Sequence, residues 1–219
     1  MKVINLGESN SALGNIIAQV RDRKIQKDSL RFRFNLERIG QIFAYEISKT
    51  LEYSPKEVQT PLATASVQTS DTKIVAATIL RAGLPIHKGI VDIFDNAESA
   101  FIAAYRKYDK VDEFHIAIEY CTCPSLSGKA LILADTMIAT GASMEIAYNK
   151  LVDEGGEPTH THFISPVSSV YAIEYLQKRF PENTTLWTAA IDEELTSQSY
   201  IIPGIGDAGD LAFGEKVNL

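Results

Sequence analysis

Apolar and polar residues along the chain follow two regular patterns, one typical of helices and one of buried strands. Between residues 30 and 51, large apolar residues recur at every third or fourth position, which is the period of an amphipathic helix. The residues with this spacing are Phe32, Leu36, Ile39, Phe43 and Ile47. Asp28 or Ser29 precedes the pattern and is expected to cap the helix.

Six short apolar runs in the rest of the chain predict strands, most of them apolar on both faces. They lie at 73–80, 99–105, 114–120, 130–134, 161–167 and 184–190. Helical patterns fall between several of these runs, at 84–94, 143–153 and 169–179. Alternating helices and two-sided apolar strands predict an α/β fold with a parallel-sheet core flanked by helices. Ligands of such sheets bind at the carboxyl ends of the strands.

Composition narrows the classes of function. The 219 residues are 45% apolar and show no repeat or linker, so a single domain over 1–219 is expected. A net charge of −7 without a run of lysines or arginines argues against binding to nucleic acid. No segment approaches about 18 consecutive apolar residues, and no signal-peptide core follows Met1, which predicts a cytoplasmic protein without a membrane span.

Cys121 and Cys123 are too close for an ordinary disulfide and are expected to be free thiols at a strand end.

The stretch LILADTMIATGAS, residues 131–143, combines a buried strand with polar residues before a helix. The first N–H groups of a helix have no internal partner, so they can bind a phosphate without a cation. The hydroxyls of Thr140 and Ser143 add donors, and Gly141 allows close approach of the backbone. Asp135 has the wrong sign for a phosphate and is expected to accept hydrogen bonds from sugar hydroxyls. A ribose 5-phosphate would suit both features, although an ordinary Asp turn and helix cap use the same residue types.

A second unusual segment, PGIGDAGD at residues 203–210, contains three glycines, a proline and two aspartates. This composition is incompatible with a helix or a central strand. Its neighbours include the apolar residues Ile201, Ile202 and Ile205. We therefore expect a rigid loop inside the fold.

Four stretches, in order, resemble the uracil phosphoribosyltransferase family. LILADTMIATGAS resembles the loop that binds phosphoribosyl pyrophosphate, ILRAG at 79–83 the arginine loop, and AAYRK at 103–107 the second arginine site. YIIPGIGDAGDLAFG at 200–214 resembles the uracil-binding segment. The similarity extends from about residue 19 to 214. It implies a type I phosphoribosyltransferase fold with a small base-binding hood formed by the N- and C-terminal segments.

The resemblance implies transfer of a 5-phosphoribosyl group from phosphoribosyl pyrophosphate to N1 of uracil, giving uridine monophosphate and pyrophosphate in pyrimidine salvage. Mg²⁺ would be carried by phosphoribosyl pyrophosphate, and the enzyme would be a homodimer or homotetramer. Some members of the family respond to guanosine triphosphate (GTP), although no residue in this sequence can be assigned to an effector site. Two alternatives stay open: a phosphoribosyltransferase for another nucleobase, and a non-catalytic nucleotide-sensing regulator that uses the same pocket.

The resemblance also assigns roles to individual residues. Arg81 and Arg106 are expected at the pyrophosphate, and Arg106 and Asp207 are the expected catalytic residues, with Asp207 as the candidate general base on N1. Backbone groups of the carboxyl-terminal segment would read the acceptor–donor–acceptor edge of uracil, and cytosine would leave polar groups unpaired at about 1–3 kcal/mol each. The other expected substrate-binding residues are Asp135, Thr136, Met137, Ile138, Ala139, Thr140, Gly141, Ala142 and Ser143 at the ribose 5-phosphate, and Tyr200, Ile201, Gly206 and Ala208 at uracil.

Three residues depart from the pattern of the family. Thr136 occupies a position where proline is usual, Ala142 replaces a usual glycine, and Leu211 stands where arginine is common. Because threonine restores an N–H and alanine adds a Cβ, the loop after Asp135 is expected to be looser or shifted. His160 and His162 face the same way on a predicted strand, but no Cys, Asp or Glu nearby completes a set of metal ligands, so no protein-bound metal is expected.

Overall fold

The structure is a computed structural model that describes residues 1–110 and 113–216, with side chains for all of these except residues 104–118. The strands are β1 (Lys2–Asn5), β2 (Ser54–Gln59), β3 (Thr64–Thr69), β4 (Ile74–Leu80), β5 (Glu98–Lys110), β6 (Glu113–Thr122), β7 (Ala130–Ala134), β8 (Met137–Ile138), β9 (His160–Ser169), β10 (Thr184–Asp192), β11 (Glu194–Leu195) and β12 (Ile201–Ile202). The α-helices are α1 (Ala12–Arg21), α2 (Ser29–Ser48), α3 (Leu84–Val91), α4 (Ala142–Gly155), α5 (Val170–Gln177) and α6 (Ala208–Phe213). Short 3₁₀ helices span Leu6–Glu8 and Ile25–Lys27.

One large open sheet organises the described part of the chain. Its strand order is β1-β10-β9-β7-β4-β5-β6, with β8 beside β9. Neighbouring strands are parallel except β5 and β6, which are antiparallel. The predicted parallel-sheet core is therefore confirmed, with one antiparallel pair at the β6 edge. β5 ends at Lys110 and β6 begins at Glu113, which leaves too few residues for the crossover that a parallel neighbour requires.

Helices cover both faces of the sheet, as predicted for an α/β fold. Ile132 of β7 packs in a core with α1, α2 and α3, whereas its neighbours Leu131 and Leu133 pack in a second core with α4 and α5. Successive residues of a strand point to opposite faces, so a strand covered on both faces is apolar throughout. This explains why β7 is a continuous apolar run and why β4 contains one polar residue, Thr78.

The predicted elements are all present, with some changes in length. β7 has the predicted bounds, and β5 is longer than predicted. The side chain of Asp28 accepts a hydrogen bond from the N–H of Arg31, which confirms the predicted cap of α2. The sequence patterns do not predict α1, β1 or the two-stranded sheet of β2 and β3. No helix in the described ranges is long and apolar enough to cross a membrane.

The two cysteines are free thiols, as predicted, with Cys121 near the end of β6 and Cys123 just after it. Burial raises the pKa of the Cys123 thiol to about 11 and also raises that of Cys121. Since the thiolate is the reactive form, neither side chain is poised as a nucleophile at neutral pH.

Candidate functional site

β4 and β7 bring two of the predicted site loops to the same edge of the sheet. The strands are parallel neighbours with Thr78 opposite Ala134, so Arg81 and Asp135 both follow at their carboxyl ends. A Cβ on Gly83 would lie 2.2 Å from Thr78 Oγ1 and 3.1 Å from the Ala134 carbonyl oxygen. The loop that contains Arg81 therefore packs directly against the strand end that leads to Asp135.

Asp135 is partly buried, and its carboxylate is held by the backbone that follows it. Its Oδ1 accepts a hydrogen bond from the N–H of Thr136 at 2.7 Å. Proline, the usual family residue at position 136, has no N–H to donate, so Thr136 ties the loop to Asp135 rather than loosening it. Burial raises the pKa of Asp135 to about 7, although hydrogen bonds from Thr136 and Met137 act in the opposite direction. Asp135 therefore titrates near neutral pH in the substrate-free protein.

The start of α4 is shaped by a glycine. Gly141 is the N-cap residue, with φ of 84°, and it has no side chain to accept hydrogen bonds from the first N–H groups of the helix. A Cβ at this position would lie 2.8 Å from Cδ1 of Tyr175 in α5. Just before the turn, the Ser169 hydroxyl donates to the Ala139 carbonyl oxygen at 2.6 Å. The loop is thus fixed from the side of β9 and α5.

The other residues of the 135–143 loop form a continuous connection between β7 and α4. Met137 and Ile138 form β8, in which Ile138 is buried. Ala142 is the first residue of α4, and its N–H lies 3.4 Å from Thr140 Oγ1. Ser143 follows and is partly exposed. Hydroxyl groups are therefore present at the start of α4, where the sequence predicts phosphate binding.

Arg81 connects this edge of the sheet to the carboxyl-terminal segment. Its Nη2 donates to Oδ1 of Asp210 and to the carbonyl oxygen of Gly214, both at 3.1 Å. A Cβ on Gly209 would lie 3.6 Å from the same nitrogen. The structure thus brings the 79–83 loop and the 200–214 segment together, although they are far apart in the sequence.

The carboxyl-terminal segment is part turn and part helix. The Ile202–Pro203 peptide bond is cis, and the turn continues through Gly204 and Gly206, both with positive φ. α6 then begins at residue 208, where the side chain of Asp207 accepts from the N–H of Asp210 at 3.0 Å. The prediction that this segment contains no helix is wrong, because the cap formed by Asp207 allows a helix to begin within the glycine-rich sequence.

Asp192, which the sequence analysis does not identify, holds the turn in place. It is the last residue of β10, and only 7% of it is exposed. Its Oδ2 accepts from the N–H of Gly204 at 2.9 Å, and its Oδ1 accepts from Nη2 of Arg21 at 2.9 Å. The available sequence signal is the same as for Asp135, a carboxylate at the end of an apolar strand.

Two further residues near the amino terminus hold the same segment and are also missed at the sequence level. Arg33 of α2 donates to the Ala212 carbonyl oxygen at 2.7 Å. The side-chain amide of Gln26, in the orientation that satisfies its neighbours, donates to the Ile205 carbonyl oxygen at 3.1 Å. The N- and C-terminal segments therefore form one unit above the sheet, at the place where the resemblance implies a hood.

An open cavity of about 290 Å³ adjoins this unit. Its lining residues are Gln26, Ile205, Gly206, Asp207, Asp210, Leu211 and Glu215. The lining includes two of the predicted substrate contacts, Gly206 and Asp207, and Leu211 contributes an apolar wall. Ile201 and Ala208 are buried beside it in the core. Tyr200, predicted as a wall of the pocket, is not among the lining residues and is 43% exposed.

Arg106, the second predicted arginine, lies in β5 opposite Ile116 of β6. Its side chain lies outside the described residues. Among the side chains that are described, no group of three or more His, Cys, Asp or Glu residues is placed to hold a metal ion. His160 instead pairs with Thr185, and His162 accepts a hydrogen bond from Trp187 at 3.1 Å.

The mostly parallel sheet, with the Asp135 loop and the Arg81 loop at one carboxyl edge, is a type I phosphoribosyltransferase fold. A sequence model of the uracil phosphoribosyltransferase family matches residues 8–215. A uracil phosphoribosyltransferase from Porphyromonas gingivalis is 49% identical over 99% of this chain and 100% of its own length. One from Pyrococcus furiosus is 34% identical over 97% of this chain and 90% of its own length. The chain belongs to the uracil phosphoribosyltransferase family, which confirms the resemblance inferred from the sequence.

A solved structure agrees with this assignment at the level of the fold. A protein from Aquifex aeolicus superposes on the chain with a TM-score of 0.86 at 25% sequence identity. The match covers 99% of this chain and 100% of the other. The hood segments therefore belong to the shared architecture, since both chains match over nearly their full lengths.

Proposed function

We propose that this chain is a uracil phosphoribosyltransferase that forms uridine monophosphate in pyrimidine salvage. The bond between C1 of the ribose and the pyrophosphate oxygen breaks, the bond from C1 to N1 of uracil forms, and N1 gives up its proton. The observation that carries the proposal is the position of Arg81. It follows β4 beside Asp135 and reaches Asp210 in the carboxyl-terminal segment, so three predicted substrate-binding segments meet.

The ribose 5-phosphate would be bound by the loop from Asp135 to Ser143. The first N–H groups of α4 and the hydroxyls of Thr140 and Ser143 donate to the phosphate, and the positive end of the helix dipole favours its charge. Asp135 accepts hydrogen bonds from the ribose hydroxyls. An acidic protein can bind this anionic group because the donors are local and largely backbone.

Catalysis would depend on charge that develops as the bond to pyrophosphate breaks. The ribosyl carbon gains positive charge and the leaving group gains negative charge, so the guanidinium groups of Arg81 and Arg106 stabilise the transition state more than the ground state. Mg²⁺ carried by phosphoribosyl pyrophosphate would supply further positive charge at the leaving group.

Uracil would be read by the turn that precedes α6. Backbone groups of Ile201, Gly206 and Ala208 would match the acceptor–donor–acceptor edge of the base, and Tyr200 would form a wall of the pocket. Asp207 caps α6 and lines the cavity. The family resemblance assigns it to the ribosyl pyrophosphate side, and it is our candidate to accept the N1 proton. Holding both substrates in line removes the entropy cost of a bimolecular encounter.

Further parts of the proposal come from the composition of the sequence and from the family resemblance. They are a single domain over residues 1–219, a homodimer or homotetramer, a cytoplasmic location, and GTP as a candidate effector. Sedimentation measurements with and without GTP test the assembly. Rates measured with and without GTP test the effector.

The direct test is release of pyrophosphate by the purified protein. We expect release that requires uracil, phosphoribosyl pyrophosphate and Mg²⁺ together. Cytosine, xanthine and hypoxanthine are the matched controls, and the cytosine rate should be lower by about 100-fold or more, because two polar contacts would be mismatched. Activity with a purine and none with uracil would identify another phosphoribosyltransferase. No turnover with any base, together with nucleotide binding, would identify a regulator.

A further inference from the structure

The buried carboxylate of Asp192 joins three separate parts of the chain. Asp192 ends β10, Arg21 is the last residue of α1, and Gly204 lies in the turn before α6. Each carboxylate oxygen accepts one hydrogen bond at 2.9 Å, one from Nη2 of Arg21 and the other from the N–H of Gly204. A buried carboxylate needs such partners, and breaking a pair of this kind leaves an uncompensated charge.

The turn at Gly204 depends on this contact for its position. Gly204 has φ of 54°, and a Cβ there would lie 2.2 Å from the carbonyl oxygen of Ile201. Ile201 and Ile205 on either side are both buried, at 6% and 3% exposure. The backbone N–H of Gly204 therefore ties a tightly folded turn to the carboxyl end of β10.

The neighbouring strand holds the other half of the site in a similar way. Asp192 of β10 is directly opposite Ser169 of β9 in the register of the sheet. The Ser169 hydroxyl donates to the carbonyl oxygen of Ala139, just before the start of α4. One pair of opposed residues thus fixes the predicted base turn through Asp192 and the predicted phosphate loop through Ser169.

We infer that the Arg21–Asp192 pair is a positioning device for the base, which sets the affinity for uracil separately from the affinity for phosphoribosyl pyrophosphate. This inference rests on the proposed function. Neither residue lines the cavity described above. Both act through Gly204, because backbone groups can read a base only when the turn that carries them is held in one geometry.

Conservative substitutions separate this role from simple packing. In Asp192→Asn, the new side-chain NH₂ must face either the guanidinium of Arg21 or the N–H of Gly204, and both are donors. Arg21→Met keeps much of the side-chain volume and removes the cation. Arg21→Lys keeps the cation and serves as the matched rescue variant. Ser169→Ala is the opposite comparator, since it releases Ala139 and removes the cap of α5, which packs beside Gly141, while it leaves Asp192 intact.

We expect Asp192→Asn and Arg21→Met to raise the KM for uracil by about tenfold or more, with the KM for phosphoribosyl pyrophosphate within about twofold of wild type. Arg21→Lys should recover most of the uracil affinity. Ser169→Ala should raise mainly the KM for phosphoribosyl pyrophosphate and change the KM for uracil less. Equal changes in both KM values, no change in either, or equal defects in Arg21→Lys and Arg21→Met would overturn the inference.

Amide hydrogen exchange provides a readout that does not require turnover. In Arg21→Met, exchange in a peptide covering residues 200–206 should accelerate by about tenfold or more relative to wild type, while a peptide covering 139–145 stays unchanged. Unchanged exchange at 200–206 would rule out the positioning role even if the wild type proved inactive with uracil. Accelerated exchange in a protein without uracil turnover would refute the proposed function and retain the structural role of the pair. If Asp192→Asn does not fold, the two Arg21 variants decide the outcome.

Discussion

Asp192 and Ser169 lie directly opposite each other on neighbouring parallel strands, and each holds one loop of the candidate site. Adjacent strands of a sheet are about 4.8 Å apart, and this spacing is among the least variable distances in a protein. The separation between the two loops is therefore fixed by the sheet and not by the loops themselves. Substitutions near either loop can be interpreted against this rigid reference.

Replacing Gly141 tests the geometry of the predicted phosphate loop. Gly141→Ala adds a Cβ at a residue with φ of 84°, at 2.8 Å from Cδ1 of Tyr175, so the turn or the tyrosine must move. We expect a loss of about 1–3 kcal/mol in unfolding free energy and an increase of about tenfold in the KM for phosphoribosyl pyrophosphate. Gly128→Ala is the matched control, because Gly128 also has positive φ, at 74°, with no atom within 4 Å of the added Cβ. Equal effects of the two substitutions on KM would contradict the assignment.

Replacing Arg81 is the most direct test of leaving-group stabilisation among the described side chains. Arg81→Met should lower kcat/KM for phosphoribosyl pyrophosphate by about 100-fold or more, because one charge-assisted contact to the leaving group is removed. Arg31→Met removes an exposed arginine that pairs with Asp28 at 3.9 Å and should be close to neutral. Steady-state kinetics of both variants test whether Arg81 stabilises the leaving group. Similar values of kcat/KM in the two variants would exclude Arg81 from catalysis.

Asp207→Asn separates the charge of this residue from its structural role. Asparagine is as good an N-cap as aspartate, so α6 should remain folded and the Tm nearly unchanged. If Asp207 accepts the N1 proton, kcat should fall by about tenfold or more. Unchanged kcat together with unchanged affinity for phosphoribosyl pyrophosphate would remove Asp207 from the mechanism.

The raised pKa of Asp135 predicts a pH dependence of substrate binding. With a pKa of about 7, the side chain is protonated in mild acid, and a carboxylic acid accepts hydrogen bonds less strongly than a carboxylate. The Kd for phosphoribosyl pyrophosphate, measured by calorimetry, should increase by about tenfold as the pH falls from about 8 to about 6. Asp135→Asn should abolish this step. Because the pKa is raised from 3.8 to about 7, the free energy of unfolding of the protein without substrate should decrease as the pH rises from about 4 to about 7.

The lowered pKa of His162 predicts a loss of stability in acid. Burial lowers its pKa from 6.5 to about 3, so the unfolded chain binds the proton more readily than the folded protein. The free energy of unfolding should therefore decrease as the pH falls below about 6.5, by about 2 kcal/mol near pH 5. His162→Asn can still accept from Trp187 and should flatten this slope in denaturant titrations at several pH values. His160→Gln alters a ring that is only partly buried and should flatten the slope less. An unchanged slope in His162→Asn would refute the assignment.

Local sequence patterns predict the central part of this fold well. The apolar run 130–134 predicts β7 with its bounds, and the Asp135 loop follows because a strand end and a helix start are both visible in short windows. The strand β6 is predicted, but its antiparallel direction is not, because an apolar strand of this length shows no direction. The helix α6 is missed because glycine and proline dominate the composition, while the cap by Asp207 depends on one side-chain contact.

The rest of the site is formed by contacts between residues that are far apart in the sequence. Such contacts cannot be predicted from a short stretch of residues. Arg81 and Asp210 are separated by 129 positions, and Arg21 and Asp192 by 171. The family resemblance predicts the role of Arg81 because that role is associated with a short stretch of sequence. It does not predict roles for Arg21 or Asp192, which follow only from the contact between α1 and the end of β10 in the structure.

Arg81 is already engaged before any substrate arrives, since Asp210 and the Gly214 carbonyl share its Nη2. If Arg81 binds the pyrophosphate as proposed, that group competes with Asp210 and the Gly214 carbonyl oxygen for the same nitrogen. Binding of phosphoribosyl pyrophosphate would then weaken the contacts that hold residues 210–214 against the 79–83 loop.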